Sequence, residues 1–158
     1  MRRTGQTFLL AGVWLGLGLL LYVFFLRQEA PPPRLVGADA VELQRGRDGH
    51  FHIDGRIGGE PVRFLIDTGA SAVSVSEALA RRAGLGCERA ATFNTANGTV
   101  RGCTTRAATL EIGPFQLRDV AVVVLPNLDG NALLGMNVLR HLDMRQEGER
   151  LRLSLPSN

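Results

Sequence analysis

The chain has 158 residues, 45% of them hydrophobic, with a formal net charge of +3, which suits one packed domain plus an appendage. Arg2, Arg3, Arg27 and Arg34 against Glu29 account for the whole excess; from Leu35 onward 14 Arg are matched by 14 acidic residues. A neutral domain with scattered Arg lacks the basic face that nucleic acid requires, so that partner class is excluded.

Residues 1–7 are short, polar and basic. Phe8 to Leu26, FLLAGVWLGLGLLLYVFFL, contains no charged residue and as a helix would reach about 28 Å, close to the thickness of a bilayer core. The segment is predicted to be a transmembrane helix. Arg2 and Arg3 precede it and Glu29 soon offsets Arg27, so the N-terminus is expected in the cytoplasm and the remainder outside. A cleaved signal peptide is the competing reading; the apolar run is too long for one, and the nearest small-x-small site, Ala38–Asp39–Ala40, lies far beyond it. Within the span, Gly12 and Gly16 form a GxxxG pair that permits close helix approach, although Gly is common in such helices.

Residues 27–40, with three prolines at 31–33, read as an extended linker. From Val41 onward the pattern changes to short apolar and β-branched runs with Gly-rich punctuation. Residues 50–57, a Gly58–Gly59–Glu60 turn and residues 61–67 read as a hairpin, with Val62, Phe64 and Ile66 facing Phe51, Ile53 and Ile57. AVSVS (72–76) is a strand, and Ser76 caps a short helix with Glu77 in its first turn and Gly84 past its end. Residues 91–112 carry Asn97–Gly98, a hairpin-turn signal. After the Gly113–Pro114 turn, residues 115–125 form one or two strands. ALLG (132–135) is a short apolar run, residues 136–142 suit a brief helix, and residues 142–155 form a hairpin around Glu147–Gly148–Glu149. This is a mostly-β domain, 41–158, with two short helices and barrel-like or orthogonal sheet packing.

Several chemistries are excluded. His50, His52 and His141 offer no metal-binding pair; His50 and His52 read as exposed strand residues sharing a face, and no metal or cofactor is expected. Gly69–Ala70–Ser71–Ala72–Val73 lacks the second Gly of a nucleophile elbow. Gly16–Leu17–Gly18 lies inside the apolar span, without the strand–helix context of a phosphate loop. Cys87 and Cys103 are the only cysteines; outside the cytoplasm they could form one disulfide, and otherwise they serve as small buried hydrophobes.

What remains is FLIDTGAS (64–71). An Asp-Thr-Gly turn is often merely structural, but here a hydrophobic strand drives into Asp67 and small residues lead back to a strand. That places Asp67 on a loop leaving the core, with its carboxylate presented to a cleft. Gly69 allows a sharp turn and close approach, while Thr68 can bury its methyl group and use its hydroxyl in a hydrogen bond.

DTGAS after a hairpin, an Asn-Gly-tipped hairpin about thirty residues later and ALLGM near the end together resemble the retropepsin-type (clan AA) aspartic proteases, in particular the membrane-anchored single-domain type of bacteria. The resemblance covers about residues 41–155 and implies a retropepsin-like closed or orthogonal β-barrel. By position it implies that Asp67 is the catalytic aspartate, that Thr68 locks two catalytic loops together, and that Gly69, Ala70 and Ser71 complete the supporting turn. Leu133, Leu134 and Gly135 match the apolar-apolar-Gly segment beneath the catalytic loop. Asn97 and Gly98 fall where a flap tip would be, in a sequence unlike that of the viral enzymes.

Peptide hydrolysis of this kind needs one carboxylate to activate water and a second, protonated one to donate to the carbonyl oxygen. The chain has a single Asp-Thr-Gly; Asp54–Gly55 and Asp129–Gly130 lack its flanking pattern. The second carboxyl is therefore expected from a second copy, giving a homodimer with both Asp67 residues on its two-fold axis. The terminal LRLSL strand is a candidate for pairing between subunits, since left unpaired it would be an exposed edge. The expected function is a membrane-anchored, periplasm-facing aspartic endopeptidase acting on peptide or protein. The alternatives are a non-catalytic peptide-binding module or a structural dimerisation module on the same fold.

Overall fold

The computed structural model describes residues 3–26, 34–35, 39–95, 98–126, 128 and 132–156. It divides into two compact units, Met1–Pro31 and Pro32–Asn158. The first is one helix, α1 (Arg3–Leu26), 24 residues long. Its described side chains, from 12 to 23, include Trp14 at 70% and Leu15 at 76% exposure, with Leu19, Leu20 and Tyr22 also exposed. Among the described residues, no helix is long and apolar enough to cross a membrane. Of the segment read as a linker, 27–33 and 36–38, including the three prolines, lie outside the described residues.

The second unit runs β1 (Arg34–Leu35), β2 (Ala40–Gln44), β3 (His52–Ile57), β4 (Glu60–Ile66), β5 (Val73–Ser76), α2 (Glu77–Arg82), β6 (Arg89–Thr95), β7 (Gly98–Ile112), β8 (Phe115–Leu125), β9 (Ala132–Leu134), α3 (Met136–Leu139), β10 (Asp143–Glu147) and β11 (Arg150–Ser154). Seven strands form one sheet in the order β3-β4-β9-β5-β8-β7-β6, and a further β3–β7 pairing closes it into a barrel from which β6 projects. Closure depends on Gly55, opposite Ile112. A Cβ there would lie 2.1 Å from the Glu111 carbonyl oxygen, so no other residue lets the two backbones meet.

The core follows from strand alternation. Ile53 pairs with Phe64, and Val73 and Val75 with Val122 and Val124; all are buried, together with Leu110, Ile112 and Leu134. Each such side chain is worth about 1.5–3 kcal/mol when fully buried. Helix α2 starts where the spacing predicts: Ser76 Oγ accepts the Leu79 N–H at 3.2 Å, Glu77 and Arg81–Arg82 complement the two ends, and Gly84 follows at φ 67°.

Some expectations are corrected. Arg34 and Leu35 are not linker but pair with Glu42 and Val41. His50 lies outside β3. His52 is half-buried rather than exposed, with its Nε2 2.6 Å from Asp48 Oδ2 and its buried Nδ1 without a partner. Residues 115–125 make one strand, in which Asp119 adopts φ 55° and drops out of the ladder between Val120 and Arg118; Arg106 grips its carboxylate and carbonyl. Helix α3 is shorter than 136–142. The largest correction concerns the terminal strand. The second sheet has the order β1-β2-β11-β10, so β11 is not a free edge: it pairs on one side with β2 and on the other with β10. Hydrophobic Leu151 and Leu153 explain its interior place, being buried against Leu43 and Val41.

Candidate active site

Asp67 stands at the end of β4, where the chain leaves the barrel. β9 inserts next to β4 in parallel, with Leu65 opposite Leu133 and Ile66 opposite Leu134, and Ser74 of β5 pairs antiparallel with Leu133 on its other side. The apolar-apolar-Gly segment therefore lies between the strand entering the Asp67 loop and the strand leaving it. Leu134 is buried, Leu133 half-buried, and the Asp67 N–H donates to the Leu134 carbonyl at 3.1 Å.

Gly135 lies beneath the loop in the tightest contact of this region. A Cβ on it would come within 2.4 Å of the Ala72 carbonyl oxygen and 2.8 Å of that of Ala70. Past it, the first N–H groups of α3 close on the loop: Met136 N–H donates to Ala70 O at 2.8 Å and Asn137 N–H to Ser71 O at 3.1 Å. Within the loop, Ala70 N–H donates to Asp67 O at 3.3 Å, and Gly69 N–H donates to Asp67 Oδ1 at 2.8 Å. The half-buried carboxylate is thus fixed through one oxygen. Thr68, Gly69 and Ser71 are exposed and Ala70 half-buried; among the described residues the Thr68 hydroxyl has no hydrogen-bond partner.

Asn137 was not anticipated. Its Oδ1 accepts the Val73 N–H at 2.9 Å and its Nδ2 donates to the Ala121 carbonyl at 2.8 Å. It clamps the strand that leaves the loop to the neighbouring β8. The sequence signal was an amide two residues after the apolar-apolar-Gly segment, and only the spatial meeting of β5, β8 and α3 gives it meaning. Arg140 is a second unanticipated residue. With Thr68, Gly69, Ala70, Ser71, Met136 and Asn137 it lines an open cleft of about 220 Å³ beside the loop.

The other singled-out residues lie apart from this loop in the chain. Gly98 opens β7 at φ 104°, in a hairpin where Thr95 Oγ1 donates to the Gly98 carbonyl at 2.8 Å; Asn97 lies outside the described residues. Cys87 and Cys103 are joined by a disulfide with a Cα–Cα distance of 5.6 Å. Because Cys103 pairs with Ala90, the bond fastens the base of the β6–β7 hairpin to the segment after α2. Among the described residues, no cluster of His, Cys, Asp or Glu could hold a metal ion.

Chemically, the loop presents one carboxylate with one oxygen held by a backbone N–H. Among the described residues, no hydrogen bond or ion pair joins it to a second acidic side chain. Such a group can accept a proton from water. It cannot by itself also supply the proton that a departing amine or a developing oxyanion needs.

Residues 53–141 match the profile of the family described as "gag-polyprotein putative aspartyl protease". The chain is 32% identical over 115 residues to an uncharacterized protein in the cobV 5' region of Sinorhizobium sp, covering 70% of this chain and 49% of the relative. It is 31% identical over 102 residues to an uncharacterized protein of Rickettsia prowazekii, covering 63% of this chain and 44% of the relative. It therefore spans about half the length of these curated relatives. A crystal structure of a retropepsin-like aspartic protease from Rickettsia conorii superposes with a TM-score of 0.63 at 29% identity, covering 73% of this chain and 90% of that one.

Proposed function

Since this chain belongs to the retropepsin-like aspartic protease family, we propose that it is an aspartic endopeptidase whose active site forms when the Asp67 loops of two copies meet. The observation that carries this reading is the Asp67 loop itself: a carboxylate fixed by the Gly69 N–H above the Leu134–Gly135 segment, with no second acid bonded to it among the described residues. Two such carboxyls brought within a few ångströms cannot both ionise, so they hold one proton between them, as is general for aspartic proteases. The ionised member takes a proton from water as the water attacks the peptide carbonyl. The protonated member donates to the carbonyl oxygen, and a proton then passes to the leaving amine as the C–N bond breaks. The Thr68 hydroxyl, exposed and without a partner among the described residues, suits a contact across the same axis. The β6–β7 hairpin, stiffened at its base by Cys87–Cys103, suits a cover for an extended peptide.

We further propose that the protein is anchored through residues 8–26 in the inner membrane, with the protease unit on the periplasmic side. The uncharged run, its helical conformation in α1 and the exposed apolar side chains from Val13 to Val23 support this, because such a surface is unfavourable in water. Confinement to one bilayer would also raise the effective concentration of two Asp67 loops.

The test is Asp67→Asn in the full chain, assayed on unfolded protein and peptide libraries at mildly acidic pH. Cleavage should fall by about 10²–10⁴-fold, the scale of a lost acid–base group, with the fold intact. Equal inertness of wild type and variant, with peptide still bound, would remove the enzyme reading and leave a peptide-binding module.

A further inference from the structure

We infer that two copies of this chain join along the β10 edge, antiparallel about a two-fold axis at Met144, rather than through the terminal strand. The inference rests on the dimeric reading above and specifies its interface.

Among the described residues, β10 has β11 on one side and no strand on the other. All five of its residues are exposed. An unpaired edge of this kind is a template for another strand. Met144 (36% exposed) and Leu155 (48%) are the only exposed large hydrophobics of Pro32–Asn158 among the described residues. Met144 stands directly opposite Leu153, and Leu155, two residues further on, continues that face of the sheet. The apolar surface of the sheet therefore runs out to the free edge and stops there uncovered.

The charges along the edge narrow the register to a centre on Met144 or on Gln146, the latter setting Arg145 against the partner's Glu147, and the exposed Met144 decides for the first, which alone covers it with its twin. The edge sequence is Asp143, Met144, Arg145, Gln146, Glu147. Centred on Met144, antiparallel self-pairing sets Met144 against the partner's Met144 and Asp143 against the partner's Arg145, twice by symmetry. Centred instead on Arg145, it sets Arg against Arg and Asp143 against the partner's Glu147. Parallel in-register stacking, the route to open-ended fibres, also superposes like charges. The Asp143 side chain forms no hydrogen bond or ion pair among the described residues. Arg145 reaches Glu147 at 2.8 Å, but that pair is at the surface and costs little to exchange.

This edge is also joined to the site. α3, whose Met136 and Asn137 N–H groups bind the Asp67 loop, runs through the short turn 140–142 into β10. The proposal requires one two-fold axis to serve both. Five-residue pairing alone is small for a stable interface, so contacts around Thr68 and the N-terminal segment must share in it.

The test uses the full chain in bilayer nanodiscs, carrying Met144→Cys or Arg145→Cys. The native cysteines are already bonded to each other. Directly opposed antiparallel residues have Cα atoms about 4.5–5.5 Å apart, within disulfide reach. Met144→Cys should cross-link under mild oxidation and Arg145→Cys should not. In parallel, Asp143→Arg or Arg145→Asp should each weaken dimerisation about ten-fold, and the double reversal should restore it. Cross-linking through Arg145→Cys instead, or strengthening by Asp143→Arg alone, would overturn the register. A dimer that is proteolytically active yet indifferent to all four changes would overturn this interface and leave the protease reading standing. A monomeric wild type that is still an Asp67-dependent protease would overturn both the interface and the paired-loop mechanism. A stable dimer with the expected cross-link but no Asp67-dependent cleavage would support the interface while removing the enzyme reading.

Discussion

Asn137 and Val73, 64 positions apart in the chain, share a 2.9 Å hydrogen bond from the Val73 N–H to the Asn137 side-chain oxygen. The same amide donates to the Ala121 carbonyl at 2.8 Å. One side chain thus satisfies two backbone groups of neighbouring strands just where the Asp67 loop rejoins the barrel, and the loop is held from outside itself.

Replacing Asn137 with Ala leaves the part-buried Val73 N–H without its partner, while the exposed Ala121 C=O can turn to water. The expected loss of stability is about 1–3 kcal/mol, the scale of one buried donor left without its partner. Urea unfolding of wild type and variant measures it. A difference within experimental error would mean that water replaces the amide and the clamp is dispensable.

Gly135→Ala should be more damaging than its single methyl group suggests. The new Cβ would meet two backbone carbonyls, 2.4 and 2.8 Å away, and backbone cannot step aside as a flexible side chain does. A cost of about 3 kcal/mol is expected, together with lost activity because the carbonyls belong to the Asp67 loop. Unimpaired thermal unfolding and cleavage in this variant would show that the loop moves more freely than the packing implies.

Thr68→Ala separates fold from association. The residue is exposed and its hydroxyl has no partner among the described residues, so monomer stability should change by less than about 0.5 kcal/mol. Dimerisation, measured by sedimentation, should weaken and cleavage with it. A variant that dimerises as wild type does would remove Thr68 from the subunit contact.

Reducing the Cys87–Cys103 bond, or replacing both cysteines with Ser, should cost about 3 kcal/mol, since the sequence separation of 16 closes a loop of the length for which that figure is typical. Guanidinium unfolding with and without reductant reads it. Because the bond fastens the hairpin base, KM should rise more than kcat falls. Identical unfolding midpoints would show that the hairpin is held by its strand pairing alone.

Acid sensitivity should come partly from Asp119. The Arg106 hydrogen bond, reinforced by the charge of the guanidinium, holds its carboxyl below the ordinary value of 3.8. A carboxyl depressed in the folded state stabilises it above 3.8, and that contribution is lost as pH falls through the folded value. Asp48 acts in the same direction: burial alone would raise its pKa, but the hydrogen bonds from His52 and His50 and their charges bring it below 3.8. Asp119→Asn should therefore lower stability at neutral pH, with the difference from wild type disappearing progressively below pH 3.8. A constant difference across that range would assign the effect to the hydrogen bonds that the carboxylate oxygens accept from Arg106 rather than to its charge.

The sequence by itself determined the local elements and the position of Asp67. Alternation set Phe64 on the same face as Ile53, AVSVS read as a strand, Ser76 and Gly84 bounded α2, and an apolar strand ending in Asp-Thr-Gly located the loop. These are short-range signals, readable because side-chain direction repeats with fixed period along a strand or helix. Tertiary structure alone decided which strands meet. It placed Leu133–Gly135 between β4 and β5, recruited Asn137 to bind strands far away in the chain, and put β11 inside its sheet while leaving β10 at the edge. Alternation in LRLSL tells which side chains are buried but not which backbones lie on either side. That depends on strand order, which is set by the packing of whole faces rather than by any residue's own preference.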